Sequence, residues 1–272
     1  MAEQDRSERN ERPLPAAWTK NPFQAPSAIV EYVRVGSSGL IDVPNKLGAG
    51  QGSAWWSEGW GMFREATGLW VGMAFALVAL FVVIGMIPVL GALATYLIAP
   101  IFSGGLMLGC RNLESGQGLS FGHLFAGFQK NLGQLALVGV LYLVGILVIG
   151  AGIAVLGLGA GFGAALIGGA SPGASFSSIM LVGLIGAGLM IPLAMAIWFA
   201  PALVMLNDLP AVAAMKLSFS GCLRNMLPFL VYGLIGMVLA IAASLPLALG
   251  WLVLVPLMVT STYAAYKEIF LA

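Results

Sequence analysis

Residues 68–87 read GLWVGMAFALVALFVVIGMI, an apolar run without a charged side chain. About 20 such residues form an α-helix long enough to cross the hydrocarbon core of a bilayer, which is about 30 Å thick. Five further runs of this kind follow, at residues 89–109, 132–154, 179–206, 227–245 and 247–266. The sequence therefore predicts an all-α protein, a polytopic membrane helix bundle of about six transmembrane helices.

The composition of the whole chain agrees with this prediction. Of the 272 residues, 60% are apolar and 8% are charged, whereas a soluble domain carries about 25% charged residues. The net charge of +1 leaves no basic excess for binding nucleic acid. We therefore expect the lipid bilayer to be the main surroundings of the chain, and no nucleic-acid partner.

The charged residues divide the chain into two parts. Fifteen of the 23 charged residues, which are 12 basic and 11 acidic, lie in residues 1–65. Residues 1–52 mix charges with Pro and Gly, and we predict a polar, largely disordered N-terminal cytoplasmic segment there. Within it, residues 21–52 have the composition of an extended linker or a docking segment. The transmembrane domain is predicted to occupy residues 53–272.

The joins between the predicted spans alternate in charge. The joins after the second, fourth and sixth spans carry charged residues, and those at residues 88, 155–178 and 246 carry none. Lys and Arg near the ends of spans are retained on the cytoplasmic side of a membrane. Both termini are therefore predicted to be cytoplasmic.

An internal repeat is indicated by two short segments, FAGFQKNL at 125–132 and FSGCLRNM at 219–226. A weaker third copy, WGMFREA at 60–66, has chance similarity as its alternative explanation. Each copy precedes a span, so the predicted unit is an interfacial helix followed by a helical hairpin. Two or three such units would occupy about 53–109, 119–206 with a Gly-rich insertion at 150–178, and 208–268.

Equivalent positions of the three copies hold the basic residues Arg64, Lys130 and Arg224. Basic groups beside the cytoplasmic leaflet attract anionic lipid, so these residues are candidate contacts for lipid headgroups or for another membrane protein. The alternative is that they only anchor the ends of the spans. The tryptophans at 55, 56 and 60 are expected at the headgroup boundary, where aromatic side chains concentrate.

Catalytic, cofactor-binding and metal-binding residues are not predicted. No Asp, Glu, His, Lys or Arg lies inside a predicted span, whereas proton-coupled transporters usually need ionisable groups there. His123 has no Cys or carboxylate at the spacing of a metal site. The run GLGAGFG at 157–163 lacks the nucleotide-binding pattern, and the stretch 155–178 is predicted to be a loop, a re-entrant segment or an extra helix.

A family resemblance rests on the blocks IAPIFSGGLMLGCRNLESGQGLSFGHLFAGFQKN at 98–131, WFAPALVMLNDLPAVAAMKLSFSGCLRNMLPFLVYGL at 198–234 and VPLMVTSTYAAYKEIF at 255–270, with NPFQAP at 21–26. The chain resembles an uncharacterised family of multi-pass inner-membrane proteins of Gram-negative bacteria. This resemblance implies a location in the bacterial inner membrane and no particular activity. More distantly, the hairpin unit is similar to the non-catalytic membrane domain of some glycerophosphodiester phosphodiesterases.

Two functions fit these observations. The first is a non-catalytic membrane scaffold, or a protein that binds lipid or a partner; the alternative is a passive or small-solute transporter or channel. We do not expect an enzyme, because no nucleophile with a base and an orienting partner can be named. A continuous polar cavity would favour transport, and a dry core with an open groove would favour binding.

Overall fold

A computed structural model describes residues 39–166, 172–246 and 249–272. In these ranges every regular element is helical, which confirms the predicted all-α class. A short 3-10 helix occupies Phe121–Phe125. The α-helices are α1 Gln51–Glu65, α2 Thr67–Gly85, α3 Leu90–Glu114, α4 Ala126–Gln129, α5 Leu132–Leu166, α6 Pro172–Trp198, α7 Ala200–Asn207, α8 Ala211–Arg224, α9 Met226–Ser244 and α10 Trp251–Phe270.

Five stretches of the described helices are long and apolar enough to cross a membrane. They are Thr67–Gly85, Leu90–Glu114, Leu132–Gly157, Met180–Asn207 and Met226–Ser244. They coincide with the first five predicted spans. The fourth stretch joins the end of α6 to the whole of α7, so that span consists of two helices with a break between them.

Helix α10 corresponds to the sixth predicted span but is not among the five stretches that are long and apolar enough to cross a membrane. Its second half contains the buried residues Thr260 and Ser261, and its last turn contains the charged residue Lys267. The backbone N–H of Ala272 donates to the carbonyl of Gly39 at 3.0 Å. The two ends of the described chain therefore lie side by side, and a sixth crossing through α10 stays a prediction from the sequence.

Helix α1 lies against α10 and runs in the opposite direction. At the start of α1, Gln51 bonds to the carboxylate of Glu268 near the end of α10 at 3.0 Å. Later in α1, Gly59 packs on Ser261, which comes earlier in α10. Protein rather than headgroups covers Trp55 and Trp56, which are 0% and 6% exposed. The structure adds that both tryptophans pack against α9 and α10, and their position at the headgroup boundary stays a prediction.

The segment 1–52, predicted to be largely disordered, is described only from residue 39, so residues 1–38 lie outside the described ranges. Residues 39–47 pack on the end of α10. The N–H of Ile41 donates to the carbonyl of Phe270 at 3.0 Å, and the N–H of Asn45 donates to that of Ile269 at 2.8 Å. These bonds attach the beginning of the described chain to its last helix.

The Gly-rich insertion is helical wherever it is described. Helix α5 contains 35 residues, which at 1.5 Å per residue is about 52 Å and exceeds the thickness of the hydrocarbon core. Helix α6 begins at Pro172 on the other side of residues 167–171, which are not described. Residues 155–166 and 172–178 are thus extensions of α5 and α6, so the alternative of a loop does not hold for them.

The internal repeat is not confirmed. A Cβ added to Gly127 would lie 2.1 Å from the carbonyl oxygen of Ile101, and one added to Gly221 would lie 2.4 Å from the ring of Phe270. Both glycines therefore allow a close helix contact. Gly61, their counterpart in the third copy, has no such neighbour within 4 Å, so the third copy does not share this environment.

Candidate functional site

The fourth candidate span is interrupted between α6, which ends at Trp198, and α7, which begins at Ala200. Pro201 lacks the N–H that would bond to the carbonyl four residues earlier, which weakens a continuous helix here. Ser218 of α8 spans the break: its Oγ accepts from the N–H of Phe199 at 3.0 Å and donates to the carbonyl of Met195 at 2.7 Å. Ser218 is fully buried, so α8 supplies the hydrogen bonds that the broken helix lost.

A groove of about 660 Å³ lies between α6 and α9. We call it the lateral groove. One side is formed by α6 from Ile191 to Trp198 and the other by α9 from Met226 to Ala240, while Leu254 and Met258 of α10 form part of its base. Both α6 and α9 belong to candidate membrane spans.

Glycine widens the lateral groove on the α9 side. Gly233 lines the groove and has open space around its Cα, since an added Cβ would meet nothing within 4 Å. One turn further, Gly236 admits the ring of Trp56, which a Cβ would approach to 3.1 Å. Helix α9 therefore presents a smooth backbone surface where larger side chains would fill the groove.

The lining of the lateral groove is mostly apolar, and the polar groups of Trp56, Tyr232 and Trp251 already have partners. The indole N–H of Trp56 donates to the carbonyl of Tyr232 at 3.1 Å, and the hydroxyl of Tyr232 bonds to Ser261 Oγ at 2.9 Å. The indole N–H of Trp251 donates to Ser244 Oγ at 3.1 Å. Burial raises the pKa of the Cys222 thiol to about 12, so this wall residue stays uncharged. The groove therefore suits an apolar occupant.

The three predicted basic residues do not share a common partner. Lys130 Nζ donates to the carbonyl of Met205 at 3.2 Å and lies 3.0 Å from Asp208 Oδ1. Arg224 Nη1 donates to the carbonyl of Pro44 at 3.2 Å. Arg64 is exposed in the last turn of α1. Two of the three side chains thus bind backbone within the protein.

Asn131 and Asn225 are polar residues of the motif that the sequence argument overlooked. Asn131 Nδ2 donates to the carbonyl of Val204, and Asn225 Nδ2 donates to that of Asn45, both at 2.8 Å. Each Asn therefore binds the carbonyl next to the one bound by the preceding Lys or Arg. Hydrogen bonds from Asn131 and Lys130 also lower the pKa of the Asp208 carboxyl. The Asn that recurs after the basic residue in FAGFQKNL and FSGCLRNM is the sequence feature that could have predicted these contacts.

A polar cluster joins α1, α3 and α10. Lys267 Nζ donates to Glu58 Oε1 at 2.7 Å and to Glu114, and the hydroxyl of Tyr263 donates to Glu114 Oε2 at 2.7 Å. Burial lowers the pKa of Lys267, but its hydrogen bonds to Glu114 and Glu58 outweigh burial, so the pKa lies above its ordinary value. The charged groups satisfy one another, which makes this cluster an inter-helix tie.

His123 has a local structural role. Its Nδ1 accepts from the backbone N–H of Ser120 at 3.0 Å, and its Nε2 lies 2.9 Å from Asn112 Nδ2. These contacts close the turn that leads into the 3-10 helix. Within the described residues, no group of three or more His, Cys, Asp or Glu side chains is arranged to hold a metal ion.

The comparisons with known proteins give one similar chain. Over 220 residues, the sequence is 31% identical to a protein of Burkholderia thailandensis named as a probable inner membrane protein, and the match covers 77% of this chain and 79% of the relative. No family model matches the sequence. No solved structure matches it either, and the distant similarity to the phosphodiesterase membrane domain is not shown.

Proposed function

This chain belongs to the family of that probable inner membrane protein, and on this premise we propose that it is a non-catalytic lipid-binding protein of the inner membrane. The lateral groove is the binding site, and the occupant is an acyl chain of a membrane lipid. The single observation that carries the proposal is an apolar groove of about 660 Å³ between two membrane-spanning stretches.

The physical reason for lipid binding is packing rather than exclusion of water. In a bilayer, lipid tails are as apolar as Leu, so helices gain nothing from hiding apolar surface from them. An unfilled groove would instead lose dispersion contacts along its whole lining. An acyl chain in the lateral groove restores these contacts. The shape of the groove then decides which acyl chain fits best.

The length of the lateral groove matches an acyl chain. From Met226 to Ala240 the rise along α9 is about 21 Å at 1.5 Å per residue, while one leaflet of the hydrocarbon core is about 15 Å thick, half of about 30 Å. The groove is therefore long enough for an extended chain. On the predicted orientation, its Met226 end lies near the cytoplasmic side.

The lining of the lateral groove can also be compared with what the alternative function, a passive or small-solute transporter, would require. Such a protein needs a passage with polar groups that replace the water around the solute. The lateral groove offers apolar side chains and hydrogen-bonded polar atoms instead. This difference favours binding over transport.

Arg64 is the basic residue that fits an anionic headgroup best. Among the described residues it has no hydrogen-bond or ion-pair partner, unlike Lys130 and Arg224. A basic group next to an anionic leaflet gains about 1 kcal/mol. Arg64 does not line the lateral groove, so its side chain can contact an anionic headgroup at the end of α1 separately from the lipid bound in the groove.

The proposal is tested by a substitution whose side chain occupies the lateral groove. Phe in place of Gly233 projects into the groove, whereas Phe in place of Gly183, a glycine of α6 that does not line the groove and also has open space around it, is the matched control. Native mass spectrometry of protein released from nanodiscs should show lipid bound to wild type and to Gly183→Phe, and a loss of at least one bound lipid in Gly233→Phe. Equal lipid retention in the two variants would contradict the proposal.

A further inference from the structure

A second cavity of about 300 Å³ lies beside the break between α6 and α7. We call it the inner pocket. It is bounded by α3, α5, α10 and the broken span, and its lining differs from that of the lateral groove. Four hydroxyl-bearing side chains line it, namely Tyr96, Ser103, Tyr142 and Thr262.

The polar groups of the inner pocket are available to a ligand. Within the described part of the chain, the hydroxyls of Tyr96, Ser103 and Tyr142 have no hydrogen-bond partner. Each of these hydroxyls can both donate and accept a hydrogen bond. The pocket thus offers both donors and acceptors, which the lateral groove does not.

The two cavities share part of their walls. Trp198 and Met258 line both the lateral groove and the inner pocket. Trp198 stands edge-on to Tyr232, with ring centroids 6.3 Å apart, and Met is the most adaptable of the apolar side chains. The two cavities are therefore adjacent, with Trp198 and Met258 in the wall that they share.

No Asp, Glu, Lys, Arg or His lines either cavity. A charged group placed at this depth without a partner would be costly, which excludes a phosphate-bearing headgroup from the inner pocket. An uncharged head with hydroxyl or carbonyl groups would instead satisfy the tyrosine and serine hydroxyls. The volume of the inner pocket equals about ten waters at about 30 Å³ each, which is room for a glycerol-sized head.

We propose that the lateral groove and the inner pocket form one site for an uncharged lipid, with its acyl chain in the groove and its hydroxyl- or carbonyl-bearing head in the inner pocket. The inference rests on the proposed lipid-binding function and names the class of lipid. Hydroxyls on both partners can donate and accept, so the head is bound by hydrogen bonds that a hydrocarbon chain cannot supply and without the unpaired charge that a phosphate would bring.

The experiment compares two lipids that share acyl chains. Wild-type protein in phosphatidylcholine nanodiscs is offered dioleoylglycerol or dioleoylphosphatidylglycerol, and binding is measured by native mass spectrometry at increasing lipid fractions. We expect wild type to prefer dioleoylglycerol. The double change Tyr96→Phe with Tyr142→Phe keeps the shape of the pocket and should reduce this preference about tenfold, because it removes two hydrogen-bonding hydroxyls.

Two further variants keep the outcomes distinct. Tyr266→Phe removes a buried hydroxyl outside both cavities, one that bonds to Asn207, and should leave the preference unchanged. Ser103→Leu fills the inner pocket and should abolish the preference while other lipid stays bound. Lipid binding without any preference for dioleoylglycerol in wild type would overturn this inference and leave the proposed function standing. Absence of all bound lipid would overturn both.

Discussion

At the scale of single residues, the structure depends on side chains that complete the hydrogen bonds of broken helices. Ser218 bridges the gap between α6 and α7, and the Lys-Asn and Arg-Asn pairs of the repeated motif bind consecutive carbonyls elsewhere. An unsatisfied backbone group inside a bilayer has no water to replace the missing partner. These polar residues therefore contribute more to the fold than their small number suggests.

Ser218→Ala tests this role directly. The change leaves the N–H of Phe199 without an acceptor and removes one donor from the carbonyl of Met195, and a buried unsatisfied group costs about 1–3 kcal/mol. We expect a loss of that size in the free energy of unfolding measured by SDS titration in mixed micelles. Ser220→Ala in the same helix is the control, since Ser220 is only half-buried; an equal effect of both changes would refute the bridging role.

At the scale of helices, glycines decide how closely α1 approaches its neighbours. A Cβ on Gly52 would lie 2.2 Å from the carbonyl oxygen of Pro228, and one on Gly59 would lie 2.6 Å from the backbone nitrogen of Ser261. Small residues at helix contacts are typical of membrane proteins, where association depends on close packing. Helix α1 is thereby fixed against both helices of the last hairpin.

Gly59→Ala and Gly61→Ala form a matched pair on α1. The first change forces Cβ against the backbone of α10, and overpacking of this kind costs about 1–3 kcal/mol. The second places Cβ in open space and should be neutral or stabilise the helix by up to about 1 kcal/mol, because Ala favours the helix more than Gly does. Thermal unfolding in detergent measures both; a similar loss of stability in both variants would contradict the packing described for α1.

At the scale of the whole molecule, the membrane orientation remains a prediction from charge. Periplasmic reporters should be active when fused after residues 88, 170 and 246, and cytoplasmic reporters when fused after residues 118, 210 and 272. The hydrogen bond between Gly39 and Ala272 adds that residues 39 and 272 report the same side. A periplasmic signal after residue 118 would disprove the orientation, because it would place Arg111 and Lys130 outside against the retention of basic residues.

The sequence by itself determined that the chain is a helical membrane protein and where its first five spans lie. This was predictable because hydropathy is a local property: a run such as 68–87 must be helical and embedded whatever its neighbours do. Burial of Trp55 was not predictable in this way. It depends on α1 lying along α10, which no property of residues 53–66 alone specifies.

Only the tertiary structure decided which faces meet and where cavities remain. A helix that is apolar on all sides, such as α5 or α9, has no polar face to show which side turns inward. The contacts are chosen instead by glycine positions, proline breaks and a few buried polar bonds such as that of Ser218, and these act only between segments distant in sequence. The lateral groove and the inner pocket are spaces between such segments, so they exist only once the helices have packed.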